Sequence, residues 1–334
     1  MTLPDAFKAL VVTENQDNQF IRSIEQKKID DLPEGDVVVQ VLYSSLNYKD
    51  ILSATGNRGV TRNFPHTPGI DAAGIVAASA NEAFKPGDEV IVTSYDLGMN
   101  TAGGFGQYIR VPAGWVVPQP QGLTAMEAMV YGTAGFTAAL SVWNMIESGV
   151  APDDGNVLVS GATGGVGSIA VSILSKLGHS VTAVNGVVDE TDYLTEIGAK
   201  KVIGIDEASD TSGRPLLKSL WAGGIDTVGG DILATTIKST NYGATVTCCG
   251  NVASADLPLN VYPFILRGVK LIGIDSQNCP MPLRKKIWQK IASDWKIDWL
   301  QTLTTEASFG ELNDKIELML QGKHIGRTIF KMTD

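Results

Sequence analysis

The densest chemical signal in the chain is the stretch Gly161-Ala162-Thr163-Gly164-Gly165-Val166-Gly167. It follows the apolar run Val157-Leu158-Val159-Ser160 and opens a helical pattern over 166–177 that Gly178 stops. Ala162, Gly164 and Gly167 have the spacing of the dinucleotide fingerprint, with alanine replacing its first glycine. In that motif the middle glycine lets the backbone approach a pyrophosphate, and the last allows close helix–strand packing. The free N–H groups at the helix start then draw in the anion. Glycine turns also serve plain chain reversal. Here a second apolar strand over 181–184 completes the strand–turn–helix–strand unit of about 30 residues that the motif requires.

After that second strand come Asn185 and Gly186. A site selective for NAD usually has Asp or Glu here to hold both ribose hydroxyls. Asn185 is neutral and removes the charge that would repel a 2′-phosphate, so NADPH is favoured. Lys200 and Lys201 lie just downstream. They either approach that phosphate or are solvated surface lysines.

The elements that must position this cradle alternate between strand and helix. Strands are predicted over 156–160, 181–184, 201–205, 225–228, 245–249 and 269–274, with helical segments between several of them. Apolar strands alternating with helices predict a doubly wound parallel sheet. Upstream, from Phe7 to about Gly122, the segments are short and β-branched, as at 37–42 and 89–92. They are separated by turns such as Pro33-Glu34-Gly35-Asp36 and Lys85-Pro86-Gly87-Asp88, which predicts a barrel-like β domain. A helix over 124–146 joins the two regions, with Thr124 as N-cap three residues before Glu127. The tail from Asn278 has a helix over 312–320 and a strand over 328–330, and is expected to pack back on the first domain. The chain is therefore α/β, divided as 1–123 with 278–334, and 124–277.

Composition narrows the function classes. The 334 residues carry 36 acidic against 26 basic side chains, a net charge of −10, which argues against nucleic acid and anionic membrane. No apolar run approaches the length of about 18 residues that a membrane span needs, and the N-terminus has no export signal, so a cytoplasmic protein is expected. The three cysteines, Cys248, Cys249 and Cys279, show no disulfide framework, and the adjacent pair reads as inert core thiols. His66, His179 and His324 are far apart, too poor a set for a zinc site of Cys and His.

Taken together the residues resemble the zinc-independent medium-chain dehydrogenase/reductases, in the YhdH/AcuI group that also carries quinone-oxidoreductase names. The segments that carry the resemblance are SSLNYKD at 44–50, RNFPHTPGIDAAG at 62–74, MVYGTAGFTAA at 129–139 and SGATGGVG at 160–167. YPFILRGVKLIGIDS at 262–276 and IGRTIFK at 325–331 complete them. The resemblance covers nearly the whole chain. It implies a GroES-like β domain plus a Rossmann domain, an active site in the cleft between them, and a homodimer. Zinc-dependent relatives have Gly-His-Glu where this chain has Gly69-Ile70-Asp71, so the resemblance implies no catalytic zinc and no Lewis-acid chemistry. By resemblance, Thr163, Gly164, Gly165 and Val166 contact the pyrophosphate, and Asn185, Gly186 and Lys201 the adenosine ribose and its phosphate. Asn251, Ile265 and Ser276 line the nicotinamide half, and Arg327 reaches the same region. Several relatives have a basic residue where Val187 stands here, which weakens the NADPH preference.

The reaction implied is NADPH-dependent reduction of a carbon–carbon double bond in a short α,β-unsaturated acyl-CoA, acryloyl-CoA to propionyl-CoA. Hydride reaches the β-carbon, the thioester oxygen becomes an enolate, and a proton must reach the α-carbon. Asn47 and Tyr48 are the candidate polar groups at the nicotinamide, the amide as an uncharged donor and the phenol as a donor of a hydrogen bond or a proton. Tyr48 could equally pack against the cofactor while water supplies the proton. Thr133 either bonds the nicotinamide ribose or caps a helix, and Asp71 is expected to act as a structural acceptor. Arg58 and Arg62, in a loop without acids, are candidates for the phosphates of coenzyme A, with Arg267 and Lys270 as auxiliaries; the alternative is solvated loop arginines. Two competing functions remain: a quinone reductase, and a catalytically idle NADPH-binding protein with a sensing role.

Overall fold

The computed structural model of the chain describes residues 3–186 and 190–333. They form two compact units: Met1–Thr133 with Gln277–Ala292 and Thr304–Asp334, and Ala134–Ser276 with Ser293–Leu303. Residues 124–133 thus lie in the first unit, and 293–303 in the second.

The first unit begins with strands β1 (Ala6–Glu14), β2 (Phe20–Lys28) and β3 (Val37–Ser45), then a short helix α1 (Tyr48–Ala54). Strands β4 (Asp71–Ser79), β5 (Glu89–Thr93), β6 (Tyr108–Val111) and β7 (Val116–Pro118) follow, leading into helix α2 (Ala125–Glu147). The second unit contains β8 (Asn156–Val159), α3 (Gly165–Lys176), β9 (Ser180–Asn185), α4 (Thr191–Glu196), β10 (Lys201–Gly204) and α5 (Ile205–Ala208). It continues with β11 (Trp221–Asp226), α6 (Gly230–Lys238), β12 (Thr240–Cys248), α7 (Tyr262–Arg267) and β13 (Lys270–Gly273). The tail supplies α8 (Met281–Ala292), β14 (Thr304–Ser308), α9 (Leu312–Leu320) and β15 (Arg327–Lys331).

In the first unit β1 and β2 form a hairpin, and the main sheet runs β14-β15-β3-β4-β5-β7 with β6 also on β3. Its strands are β-branched and bury Val37, Val39, Val41, Val76, Val90 and Val92 in one core with Leu10, Phe105 and Phe330. The tail does return: β15 pairs antiparallel with β3, setting Ile329 opposite Ser45. That register brings Arg327 to the end of β3.

In the second unit the order is β10-β9-β8-β11-β12-β13, and every pairing is parallel. Strands β8 and β9 are buried almost throughout, as expected when helices cover both faces. Strand β11 starts at Trp221, earlier than the sequence predicts, because Gly223 and Gly224 weaken the strand signal. A Cβ on Gly223 would lie 2.9 Å from the Met145 sulfur, so close packing explains the glycine there.

Helix α2 opens on the predicted cap: Thr124 N–H donates to Glu127 Oε2 at 2.8 Å, and Glu127 N–H to Thr124 Oγ1 at 3.2 Å. It is not one continuous helix, however. Gly132 breaks it with φ 51° and ψ −154°.

Candidate functional site

In the second unit the strand order reverses between β8 and β11, and sheets of this kind bind ligands beyond their strand ends at that point. The turn 161–164 lies there and leads into α3. Gly164 is the N-cap of α3 and supplies no side-chain cap, so the first N–H groups of the helix have no partner within it. A Cβ on Gly167 would stand 2.2 Å from the Gly161 carbonyl oxygen and 2.8 Å from Ala162 Cα, so only glycine lets the helix start sit this close to the turn. Thr163, Gly164, Gly165 and Val166 are half-buried around these open donors. The set fits a pyrophosphate.

The strand ends are tied by a residue the sequence reading missed. Buried Asp226, last in β11, accepts Ser160 Oγ at 2.7 Å and the Gly229 N–H at 2.7 Å. Burial pushes its carboxyl up, and these donors pull it back. An acid ending an apolar strand was the available signal. Asn185 ends β9 and is buried, and Gly186 beside it is exposed. Val187 lies outside the described residues. Asn251 follows β12, is exposed, and lines a cavity of about 450 Å³ with Gly229, Cys248 and Cys249. Burial pushes the Cys249 thiol up to about 12, so it stays protonated. Ser276, just past β13, accepts the Thr137 hydroxyl at 2.7 Å.

Other expected contacts lie elsewhere in this unit. Lys201 is the first residue of β10, opposite Thr182, while Gly204 is the residue facing Asn185. Its Nζ holds exposed Glu207 at 2.6 Å. Ile265 is two-thirds exposed on α7. That helix ends at Arg267, whose guanidinium bonds the carbonyl oxygens of Lys238, last in α6, and Thr240, first in β12. Arg267 thus spends donors on backbone carbonyls, and exposed Lys270 donates through Nζ to the Ser148 carbonyl at 3.2 Å.

In the first unit the chemistry gathers around Asp71, which is fully buried at the start of β4. Its carboxylate accepts Ser45 Oγ at 2.6 Å, Asn47 Nδ2 at 2.8 Å, Thr133 N–H at 2.8 Å and Thr133 Oγ1 at 2.5 Å. Asp71 therefore caps the second half of α2, which explains the break at Gly132. A Cβ there would fall 2.4 Å from Asp71 Oδ2 and 2.9 Å from an Arg327 nitrogen. Asp71 acts as the structural acceptor expected of it, with Thr133 as one of its donors.

Two expectations are corrected here. Asn47 was expected to donate to substrate, yet its amide hydrogens go to Asp71 and, at 3.4 Å, to the Ser45 carbonyl. Its oxygen accepts from Arg327 at 3.3 Å, and the residue is buried. Asn47 positions its neighbours and has no hydrogen left for a ligand. Arg327 was expected to reach the cofactor. It is fully buried and donates to the carbonyls of Val130 and Leu46, both at 2.9 Å, and to Ser45 Oγ. It lies 4.0 Å from Asp71, as a cation in a cluster that also holds Asp50. Asp50 accepts the N–H groups of Asn47 and Ile70, both at 2.8 Å, while burial and Asp71 push its carboxyl up to about 7.

Tyr48 differs from these neighbours. It is the first residue of α1, directly after Asn47, and is 54% exposed. In the basic loop, Arg58 is paired with Glu14 at 2.6 Å and lies over the rings of Phe20 and Phe64. Arg58, a candidate for a phosphate of coenzyme A, is half-exposed and would have to share its guanidinium with Glu14. Arg62 is exposed. Among the described residues no group of three or more His, Cys, Asp or Glu could hold a metal ion.

Two family models match the chain: the alcohol dehydrogenase GroES-like domain over residues 33–121, and the zinc-binding dehydrogenase model over residues 165–293. The second model's name refers to zinc, although Ile70 stands where zinc-dependent members have histidine. The acrylyl-CoA reductase AcuI of Ruegeria pomeroyi is 43% identical, over 97% of this chain and 98% of its own length. The yhdH oxidoreductase of Salmonella enterica, solved in complex with NADP, is 41% identical, with TM-score 0.95 over 98% of this chain and 100% of that one. Bacillus subtilis YhfP, whose curated name is "Putative quinone oxidoreductase YhfP", is 44% identical over 98% of this chain and 99% of its own length. Its structure with NAD bound superposes with TM-score 0.96 over 98% of this chain and 100% of that one. With a GroES-like β unit, a Rossmann unit and these chain-long relatives, the chain is an oxidoreductase that belongs to the zinc-independent medium-chain dehydrogenase/reductase family, in its YhdH/AcuI group.

Proposed function

We propose that this protein uses NADPH to reduce the carbon–carbon double bond of a short α,β-unsaturated acyl-CoA, acryloyl-CoA to propionyl-CoA. The observation that carries the reading is the chain-long similarity to AcuI. Thr163, Gly164, Gly165 and Val166 hold the pyrophosphate through the open start of α3, and Asn185 with Gly186 receives the adenosine ribose. Neutral Asn185 admits a 2′-phosphate, and Lys201 can turn to it only by leaving Glu207. Asn251 and Ser276 face the nicotinamide half, with Ile265 at its margin. The bound dinucleotide supplies hydride to the β-carbon.

The protein's own part is orientation, and handling of charge on the thioester oxygen. Tyr48 offers an exposed phenol that can donate to that oxygen or contact the cofactor. Asn47, Asp71 and Arg327 fix the start of α1 beneath it. Arg62, an exposed cation of the 56–63 loop, is offered to a phosphate of coenzyme A, and Arg58, also exposed, ties that loop to Glu14. The domain division at residues 123 and 278 is part of this proposal, as is a homodimer. The dimer is supported by the edge strand β13 beside exposed Val261, Ile265 and Leu266. Among the described residues no helix is long and apolar enough to cross a membrane, and a cytoplasmic location is proposed.

A quinone reductase is the second reading, favoured by the similarity to YhfP and by the engagement of Arg58 with Glu14. Mixing the purified protein with acryloyl-CoA and NADPH, then with NADH and with a benzoquinone, separates the readings. NADPH oxidation with the thioester is expected, together with loss of most turnover in Tyr48→Phe at unchanged cofactor affinity. Turnover of the quinone alone would select the second reading, and silence on every acceptor an idle NADPH-binding protein.

A further inference from the structure

The turn that ends β5 is bent against its residue types. Ser94 and Tyr95 are consecutive left-handed residues, with φ 62° and 50°. Residues other than glycine take that conformation rarely, and keep it only where their surroundings hold them. Here the surroundings are specific. The Tyr95 ring stacks on Trp115 at 5.6 Å and 7° between planes, and the Arg284 guanidinium carbon stands 4.3 Å from its centroid.

Arg284 comes from α8, far along the chain, and is fully buried. One guanidinium nitrogen donates to the Thr93 carbonyl at 3.2 Å and to Thr93 Oγ1 at 3.1 Å. Another donates to the Gln277 carbonyl at 3.0 Å, and that oxygen also accepts the Tyr95 N–H at 3.3 Å. The guanidinium thus spans both ends of the strained turn.

The turn presents the Ser94 hydroxyl, which lies 2.8 Å from Thr133 Oγ1. Thr133 has one hydroxyl proton and donates it to Asp71 at 2.5 Å. The proton between the two hydroxyls therefore comes from Ser94. A directed chain follows, Ser94 to Thr133 to Asp71, and Asp71 also receives the Asn47 amide. Asn47 precedes Tyr48, so the chain ends at the first turn of α1.

We propose that Arg284 is a positioning residue: it clamps the Ser94–Tyr95 turn in its left-handed form, so that Ser94 fixes the Thr133 hydroxyl and, through Asp71 and Asn47, the residue that carries Tyr48. The inference rests on the proposed reduction only for the reaction it serves. A guanidinium is needed because its planar face meets the ring while its fork reaches two carbonyls; a lysine has neither feature.

The test uses Arg284→Lys, Tyr95→Leu, Ser94→Ala and the double variant Arg284→Lys/Ser94→Ala in the full chain. It measures kcat and KM for whichever acceptor the wild type reduces, NADPH affinity, and hydrogen exchange at the Thr133 amide. Each single variant is expected to lower kcat by about tenfold with KM and NADPH affinity nearly unchanged, as misplacement of a preorganised group does. The double variant is expected to be no worse than Ser94→Ala, because both act through one chain. A merely structural staple predicts a lower melting temperature with kcat intact in Ser94→Ala, or additive losses in the double variant, and either result overturns the proposal. Should Arg284→Lys fail to fold, Tyr95→Leu and Ser94→Ala decide by the same criteria. If the wild type reduces no acceptor, the proposed reaction falls on its own. Exchange at Thr133 then judges the clamp: about tenfold faster exchange in the variants supports it, and unchanged exchange rejects it.

Discussion

The start of α3 and the cluster around Asp71 are built on opposite principles. The first is one contiguous segment whose N–H donors are left open. The second draws Ser45, Asn47, Asp71, Thr133 and Arg327 from distant parts of the chain and closes nearly every donor on a partner. An open donor set can take an anion, whereas a closed one can only fix geometry. The difference separates binding from positioning, and it moves Asn47 and Arg327 into the second class. Tyr48 escapes it because its side chain stands outside the closed network.

The largest effect should come from removing the cluster's cation. Arg327→Met leaves Asp71 buried with no neutralising partner, and breaking a buried pair in this way costs about 3–5 kcal/mol. The first unit's calorimetric transition should then fall by about 10 °C, while NADPH affinity stays close to wild type because the α3 donors belong to the second unit. A small shift would mean that hydrogen bonds rather than charge hold the cluster. A large loss of cofactor affinity would return Arg327 to a ligand-facing role.

That contrast also explains what could be read in advance. Turn 161–167, strand β9 and helix α9 are local: each shows in a few adjacent residues, so glycine spacing and apolar periodicity reveal them. The break at Gly132 was invisible because its cause, the Asp71 carboxylate, lies 62 residues along the chain from the Thr133 N–H that it accepts. The same holds for Arg58, whose partner Glu14 is 44 residues distant, and for Ser94 and Arg284. Sequence could nominate Asn47 for its donors. Only the fold shows that those donors are occupied.

A second substitution sharpens the comparison from the other side. Gly167→Ala puts a Cβ 2.2 Å from a backbone oxygen, so the start of α3 must move. Overpacking of this kind costs about 1–3 kcal/mol, and NADPH affinity should drop about tenfold or more as the donors swing away. Gly164→Ala meets the same oxygen at 3.3 Å and should disturb the helix start less. Titration of both variants with NADPH checks the order. Equal losses would show that chain flexibility matters more than close approach.

The smallest effect tests how the first unit responds to protons. Burial, Arg327 and Lys315 push His324 from its ordinary 6.5 to about 4. The unfolded chain takes up this proton near 6.5 and the folded one only near 4. Stability from His324 is therefore present above 6.5 and lost as pH falls toward 4. Asp50 has the opposite sign: its folded carboxyl, raised from 3.8 to about 7, stabilises below 3.8 and loses that contribution as pH rises to 7. The two partly cancel between 4 and 6.5, so wild-type stability alone hides both. His324→Gln exposes one of them. Across that window the stability of wild type relative to the variant should rise with pH, as read by denaturant unfolding at several pH values. Asp50 contributes equally to both proteins and drops out of the difference. A pH-independent difference would mean that His324 titrates alike in the folded and unfolded chains, so that neither burial nor the positive field of Arg327 acts on the ring.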